Sequence, residues 1–259
     1  MPTRRAFLLG ALSAGALAAC GKVRQHTATA TTVAGGAATG PSGGDAGAGN
    51  AASPPPGGPA AYVAHGPRDQ PRVALTFHGS GDPALTAQIL TLAGRHGAPL
   101  TVFAVGTWLE QHPDLAGQIL VSGHELANHT YTHPALGSLG EAAVATEITR
   151  CRDVLMRQTS TNGRWFRPSG IESAPSTMIL AETGKAGYVT SVGFDVDPQD
   201  YTDPGADAVV RRVAAGVQPG SIVSLHLGHA GTVAAFERIL GVVQSRGLKP
   251  ALVRTVLAA

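Results

Sequence analysis

From Arg72 to the end of the chain, short apolar runs alternate with longer amphipathic stretches, and this alternation restricts the possible fold more than any other feature. Seven short runs have the composition and length of β-strands, at positions 73–78, 100–105, 124–128, 164–167, 187–191, 221–227 and 251–254. Six longer stretches between them have the apolar spacing of helices, at positions 82–95, 108–121, 138–158, 174–185, 205–216 and 231–246. Strands that alternate with helices are joined by right-handed crossovers, so this order predicts a mainly parallel sheet with helices packed against it.

The length of this region separates the possible α/β folds. Residues 72–259 make 188 residues, whereas a closed eight-stranded α/β barrel has about 250. The first strand is not followed by the Gly-x-Gly-x-x-Gly pattern that dinucleotide-binding open sheets carry at this point. We therefore predict an α/β fold, an incomplete (β/α) barrel of about seven parallel strands.

The first twenty residues have the pattern of an export signal. Two arginines, Arg4 and Arg5, precede the uncharged segment 6–19, which is followed by Cys20. A helix of that length spans about 21 Å, less than the roughly 30 Å of a hydrocarbon core, so we predict a signal peptide rather than a membrane span. The paired arginines resemble a twin-arginine export signal, and Leu-Ala-Ala-Cys resembles the lipobox of bacterial lipoproteins. Residues 1–20 are thus predicted as a lipoprotein signal peptide with lipidation at Cys20; the alternative is an ordinary cleaved signal with an incidental cysteine.

Residues 21–71 have a composition that favours a flexible linker. Within 27–61, only Val33, Asp45 and Asn50 fall outside the set Ala, Gly, Pro, Ser and Thr, so this segment cannot build a core. A flexible chain of this length has a root-mean-square end-to-end distance of roughly 33 Å. That distance suits a tether, and we expect an exported protein held at the extracytoplasmic face of the cell membrane by its lipid anchor.

The charge distribution argues against nucleic acid as a partner. Four basic residues and one acidic residue precede Tyr62, which leaves 15 basic and 16 acidic residues in the remainder of the chain. A nearly neutral domain offers no electrostatic reason to bind nucleic acid. The two cysteines, Cys20 and Cys151, lie in such different contexts that we expect no disulfide between them.

Histidines recur where the predicted strands end, which is where parallel α/β folds carry their functional side chains. His78, His129 and His226 stand at or just after the ends of three strands, and His133 follows His129 by four residues. Two imidazoles at that spacing can bind one metal ion if the local backbone is helical or turn-like. The same spacing is also common on protein surfaces without a metal, so the pair alone does not establish a site.

Taken together, the polar strand ends resemble the polysaccharide deacetylase family, carbohydrate esterase family 4, over almost all of 72–259. The family pattern His-Ser/Thr-x-x-His matches the run from His129 to His133, which implies that both histidines bind a divalent metal, usually zinc. The family's Arg-Pro motif matches Arg167 and Pro168, and the resemblance implies that this guanidinium holds the catalytic base in place. It further implies a distorted α/β barrel that removes acetyl groups from N-acetylated sugars.

Two further motifs of the family assign proton transfer and substrate binding. Asp200 and Tyr201 stand where the family has Asp-Trp, which implies that the carboxylate orients a histidine and the ring lines the substrate groove. His226, in the run Ser-Leu-His, matches the general acid. We assign Leu225 and Pro168 to the substrate-binding surface together with Tyr201.

The first motif departs from the family. The family reads Thr-Phe-Asp-Asp-Gly-Pro, with the first Asp as base and the second as metal ligand, but this chain reads Thr-Phe-His-Gly-Ser-Gly from Thr76. In one interpretation, His78 joins His129 and His133 as third metal ligand and Asp82 acts as the base. In another, Asp82 is the third ligand and His78, with an ordinary pKa of about 6.5, is the base. We favour the first because His78 ends the strand; a catalytically inactive glycan binder is the third interpretation.

The sequence therefore predicts a metal-dependent hydrolase that removes acetyl groups from N-acetylated or O-acetylated cell-envelope polysaccharide or from chitooligosaccharide. Zinc is the expected cofactor, with cobalt or a similar divalent ion as the substitute. A carbohydrate polymer is the expected partner, and the protein is expected to be a monomer. A catalytically inactive glycan-binding lipoprotein is the alternative. Asp195 and Asp197 are interpreted as parts of a solvated loop.

Overall fold

The computed structural model describes residues 57–258, in which strands and helices alternate over most of the length. The strands of this part of the chain are β1 (Ala61–Val63), β2 (Arg72–Gly79), β3 (Leu100–Ala104), β4 (Glu125–Asn128), β5 (Thr190–Val192), β6 (Ile222–His226) and β7 (Lys249–Pro250). Its α-helices are α1 (Pro83–Arg95), α2 (Gly106–Gln111), α3 (Asp114–Val121), α4 (Glu141–Thr159), α5 (Thr177–Lys185), α6 (Ala206–Gly216), α7 (Ala230–Ser245) and α8 (Val253–Val256).

The strands form a parallel sheet that curves into an open barrel. The main path runs β4-β3-β2-β6, with β7 paired to β2 and β1 paired to β5, and each of these pairings is parallel. Isolated parallel bridges, rather than continuous ladders, join Asn128 to Phe166, Phe166 to Ser191, and Val196 to Val223. The predicted α/β fold, an incomplete barrel of parallel strands, is confirmed.

Side chains of the central strand β2 alternate between two apolar clusters. Val73, Leu75 and Phe77 are fully buried among the residues that face the helices. Ala74 belongs instead to a smaller cluster with side chains from several other strands, inside the barrel. Because side chains two residues apart share a face of a strand, His78 faces the interior of the barrel at the carboxyl end of β2. This alternation determines which residues can reach a site at the strand ends.

Three predicted segments differ from the structure. Residues 164–167 contribute only the bridge at Phe166, and the predicted strand 251–254 runs instead into helix α8, after the two-residue strand β7. A short apolar run fits a strand and a buried helical turn equally well, because its pattern has no visible period. Strand β1 lies within the segment 21–71 that was predicted as linker, and it pairs in parallel with β5.

The predicted signal peptide 1–20, including Cys20, lies outside the described residues, as does most of the predicted linker. Among residues 57–258, no helix combines the length and the apolar character that crossing a bilayer would require.

Candidate active site

Three histidines meet at the carboxyl ends of β2 and β4. His78, His129 and His133 each place one ring nitrogen within 4.8 Å of those of the other two. The Nε2 atoms of His129 and His133 lie 3.1 Å apart, and the ring centroids of His78 and His129 lie 4.3 Å apart. The structure thus brings together the three side chains that the sequence assigned to one metal site.

The loop after β4 turns His133 back toward His129 through an uncommon backbone conformation. Thr130 and His133 have φ angles of 69° and 60°, in the left-handed region that residues other than glycine seldom adopt. Glu147 on helix α4 stabilises the loop, because one carboxylate oxygen accepts the amide protons of Tyr131 and Thr132 at 2.9 and 2.8 Å. The other oxygen accepts the hydroxyl proton of Thr132 at 2.8 Å. Helix α4 therefore holds the loop that presents His133.

Hydrogen bonds also orient the other two rings. Nδ1 of His129 lies 2.8 Å from the carbonyl oxygen of Arg167, which can only accept, so this nitrogen carries the proton. Nε2 of His129 is then left with a free lone pair on the side of His133. A hydrogen bond of this kind is what metal-binding histidines usually make with their second nitrogen. Nε2 of His78 lies 3.0 Å from Oγ of Ser224 on the neighbouring strand β6, which fixes the position of that ring.

The three histidines are held in their neutral form. Burial lowers the pKa of His78 and His129 well below the usual value, and neighbouring histidines lower both further. At His129 the hydrogen bond to the carbonyl of Arg167 acts on the pKa in the opposite direction. Burial and His226 lower the pKa of His133 in the same direction. Neutral imidazole is the form that binds metals. Nitrogens on one tetrahedral zinc ion are about 3.4 Å apart, close to the separation of His129 and His133. The donor set therefore fits a divalent metal ion.

A fourth histidine, His226, lies beside this cluster, with its ring centroid 4.2 Å from that of His78. Its Nδ1 donates to Oδ1 of Asp200 at 2.8 Å, and its backbone amide donates to Oδ2 at 2.8 Å. Oδ2 also accepts the hydroxyl proton of Thr232 at 2.6 Å, so both oxygens of this buried carboxylate are occupied. The ring of Tyr201 lies 4.9 Å from that of His226. Since Asp200 occupies Nδ1, the nitrogen of His226 that remains for chemistry is Nε2.

Three of these histidines, His78, His133 and His226, line one pocket of about 280 Å³. Its wall combines histidines, apolar and aromatic side chains, and two carboxylates, contributed by His78, His133, Pro168, Gly170, Ile171, Glu172, Phe194, Asp197, Tyr201, Ser224 and His226. Pro168 and Tyr201, which the sequence assigned to substrate binding, both lie on this wall. A small pocket with an aromatic side and convergent polar groups is typical of a site that binds a small ligand.

Two sequence-based assignments are contradicted by the structure. Asp82 lies outside the pocket: it is exposed, and its Oδ1 accepts the amide proton of Ala84 at 2.8 Å as the N-cap of helix α1. Neither the base nor the metal-ligand role of Asp82 is therefore supported. Leu225 is fully buried with Phe77 in the cluster that faces the helices, so its assignment to substrate binding is wrong. Alternation along β6 directs Leu225 away from the interior face that carries His226.

Arg167 is also placed differently from its predicted role. It is buried inside the barrel, where its donors bind the carbonyl oxygens of Val192 and Gly193 at 3.0 and 2.9 Å and Oγ1 of Thr76 at 2.9 Å. Its Cζ lies 4.0 Å from the ring centroid of Phe103, and burial lowers its pKa to about 9. No carboxylate of the described residues contacts it. Arg167 therefore connects β2 to the end of β5 and the residue after it, rather than holding a catalytic base.

The structure adds Asp197 to the residues of the pocket wall, although the sequence was interpreted as placing it in a solvated loop. Asp197 is half-buried on the pocket wall, and its Oδ1 accepts the amide proton of Gln199 at 2.8 Å. Burial raises its pKa, while the Gln199 amide and His226 act in the opposite direction. Asp195 has a structural role instead, as acceptor for Arg68 at 2.9 Å and for groups at the start of β6. The sequence feature that could have indicated this role is the position of Asp197 in a loop that follows a strand.

Comparison with known proteins agrees with this geometry. The sequence model of the polysaccharide deacetylase family matches residues 65–190. A chitooligosaccharide deacetylase of Sinorhizobium fredii is 34% identical over 192 residues, which cover 68% of this chain and 87% of that protein. The crystal structure of a peptidoglycan N-acetylglucosamine deacetylase superposes with a TM-score of 0.70 at 26% identity, over 76% of this chain and 93% of that one. A pseudoenzyme of carbohydrate esterase family 4 from Bacillus anthracis shares the fold, with a TM-score of 0.71 at 23% identity, over 76% of this chain and 69% of that one.

Proposed function

The chain belongs to the polysaccharide deacetylase family, carbohydrate esterase family 4, whose enzymes hydrolyse amide bonds, and we propose that it removes acetyl groups from N-acetylated polysaccharide. The proposed substrates are chitooligosaccharide or the glycan of the cell envelope, with N-acetyl groups as the main target and O-acetyl groups as the secondary one. The names of the similar proteins, a chitooligosaccharide deacetylase and a peptidoglycan deacetylase, support this choice.

The observation that carries the proposal is a cluster of four histidines, of which His78, His133 and His226 line one pocket. His78, His129 and His133 converge within 4.8 Å, and His226, held by Asp200, lies directly beside them. Amide hydrolysis needs an electrophilic centre for the carbonyl oxygen and an acid for the departing amine within one site. The cluster of three histidines and the adjacent His226 together support hydrolysis more strongly than glycan binding alone. Glycan binding requires neither a metal site nor a proton donor.

A divalent metal would be held by His78, His129 and His133, and we propose zinc, with cobalt as a functional substitute. The chemistry that such an ion supplies when bound is Lewis acidity, which polarises a carbonyl group and makes water more acidic. Other residues of the chain orient the histidine rings. The carbonyl of Arg167 holds the proton on Nδ1 of His129, and Ser224 holds the ring of His78 against the cluster.

His226 serves as the proton donor to the departing amine. Because Asp200 accepts from Nδ1, the proton that can be transferred is on Nε2. The rings of Tyr201 and Phe194, with the side chain of Ile171, supply apolar surface on which the face of a sugar can pack.

The test combines metal content with acetate release. Purified residues 57–259 are loaded with zinc or cobalt, and acetate is measured after incubation with N-acetylglucosamine oligomers and with peptidoglycan fragments. We expect about one metal ion per chain and acetate release that His129→Ala abolishes. His96→Ala, which changes an exposed histidine paired with Glu237, is the matched control and should keep the activity. Loaded protein that binds saccharide but releases no acetate would contradict the proposal and favour the inactive glycan binder.

We also propose that the protein is an exported, monomeric lipoprotein anchored to the membrane through Cys20. The twin-arginine pattern and the lipobox-like sequence before Cys20 support this proposal. In cells, the wild-type protein should fractionate with membranes and incorporate radiolabelled palmitate. Cys20→Ser should do neither, and a variant that stays membrane-bound and labelled would contradict the assignment. Light scattering of the purified domain tests whether it is monomeric.

A further inference from the structure

One role in the proposed reaction has no residue assigned to it. Water that attacks an amide must give up a proton to an acceptor, and a positioned side chain usually takes it. The carboxylates of the family's first motif are replaced here by His78 and Gly79. Asp82 caps helix α1, and Asp200 has both oxygens occupied by His226 and other donors. The acceptor must therefore come from elsewhere on the pocket wall.

Two carboxylates lie on that wall, those of Asp197 and Glu172. Asp197 is half-buried, whereas Glu172 is exposed to solvent and its charge is screened by water. One oxygen of Asp197 accepts from the amide of Gln199, which fixes the orientation of the carboxylate. The other oxygen has no hydrogen-bond partner among residues 57–258. Asp197 therefore offers a fixed carboxylate with a free oxygen on the same wall as the histidines.

We propose that Asp197 is the proton acceptor for the attacking water in the deacetylation proposed above, on which this inference rests. The water oxygen forms a bond to the carbonyl carbon while Asp197 takes one proton from it. His226 then gives the proton on its Nε2 to the amine nitrogen as the carbon–nitrogen bond breaks, which leaves acetate and a free amine. Asp197 afterwards loses its proton to solvent and His226 takes one up, so both return to their starting forms.

The surroundings of Asp197 suit this role. Burial, Asp200 and Glu172 raise its pKa, while the Gln199 amide and His226 lower it. A carboxylate with a raised pKa is a stronger proton acceptor than one fully exposed to water. The net effect of these surroundings is to raise the pKa of Asp197, which makes it a better proton acceptor.

Asp197→Asn tests the role with little change of shape, because its side-chain oxygen can still accept from the Gln199 amide. We expect kcat to fall at least 100-fold with KM within about threefold, since a positioned general base contributes about 100- to 10,000-fold. The acidic limb of the pH profile of kcat/KM should disappear, and metal content and saccharide affinity by calorimetry should match the wild type. Asp203→Asn is the matched control, because this exposed aspartate lies on the same loop as Asp197 and pairs instead with His229, which follows β6.

The outcomes separate this inference from the proposed function. If the wild type releases acetate and Asp197→Asn keeps more than a fifth of its kcat, Asp197 is not the acceptor. A change in KM alone, or a large loss in Glu172→Gln instead, would also overturn the assignment. Asp197→Ala gives a second measurement, in which added formate should restore part of the rate only if a proton acceptor is missing. A metal-loaded wild type without activity would remove the proposed function and this inference together.

Discussion

Removal of the Glu147 side chain should weaken metal binding without unfolding the protein. Glu147 reaches from helix α4 to the loop that carries His133 and accepts three hydrogen bonds from it. That loop contains Thr130 and His133 in the left-handed region, where residues other than glycine cost about 1–3 kcal/mol each. Without the carboxylate, the loop should relax toward conformations in which His133 no longer faces His129.

The magnitude follows from the three hydrogen bonds. A hydrogen bond to a charged group contributes about 1.5–3 kcal/mol when buried, and these bonds range from partly buried to exposed. Allowing for replacement of each lost bond by water, we expect Glu147→Ala to cost about 2 kcal/mol of loop stability. If metal binding requires the ordered loop, this cost appears as a decrease in metal affinity of about 30-fold.

Competition with a chromophoric chelator measures this affinity for zinc, and the visible spectrum of the cobalt form reports the coordination. Glu110→Ala is the matched control, because among residues 57–258 the side chain of Glu110 binds the hydroxyl of Tyr131 and the side chain of Arg157, not the loop backbone. The control should bind metal like the wild type. Unchanged metal affinity in a folded Glu147→Ala protein would refute the idea that helix α4 holds the loop.

Three further predictions concern the buried polar groups. Asp200→Asn should lower the rate of acetate release about 100-fold and the free energy of unfolding by about 1–3 kcal/mol, measured by urea titration, because it weakens the bonds that orient His226. The free energy of unfolding of the metal-free protein should rise between about pH 5 and pH 7, by up to about 1.4 kcal/mol per pH unit for each of His78 and His129. Their pKa values are lowered in the folded state, so the unfolded chain binds more protons in this range, and a flat urea midpoint would contradict it. Arg167→Met should destabilise the protein by about 2–4 kcal/mol in urea, since it leaves buried carbonyl groups without donors, and it should leave metal stoichiometry unchanged.

The sequence predicted those parts of the fold and of the site that depend on local sequence patterns. The strands β2, β3, β4 and β6 lie where alternation of apolar runs and helices placed them. His129 and His133 form part of one cluster, as their spacing after a strand end suggested. In each case the prediction depends on the order and spacing of residues within one strand or one loop. The sequence shows this spacing directly.

The parts that sequence did not predict depend on contacts across the fold. Strand β1 lies in a segment poor in large side chains and exists only opposite β5. Asp82 has two local interpretations, a residue near the strand end and the N-cap before Pro83, and the cap prevails. Asp195 and Asp197 belong to the same polar loop, yet one supports the start of β6 and the other lines the pocket. No local pattern distinguishes these two carboxylates.

Gly79 stands where the family has its second aspartate, and its surroundings leave little room for a side chain. A Cβ atom at this position would lie 3.0 Å from Ala104 Cα and from Val102 Cγ1, and 3.1 Å from the ring of Trp108. These atoms belong to the side of the sheet that faces the helices, so a side chain at position 79 would enter the apolar cluster rather than the pocket. The Trp108 ring cannot easily yield, because its Nε1 donates to the carbonyl of Gly81 at 2.9 Å. Of the two positions where the family has its aspartates, only His78 faces the site, where one of its ring nitrogens lies within 4.8 Å of those of His129 and His133.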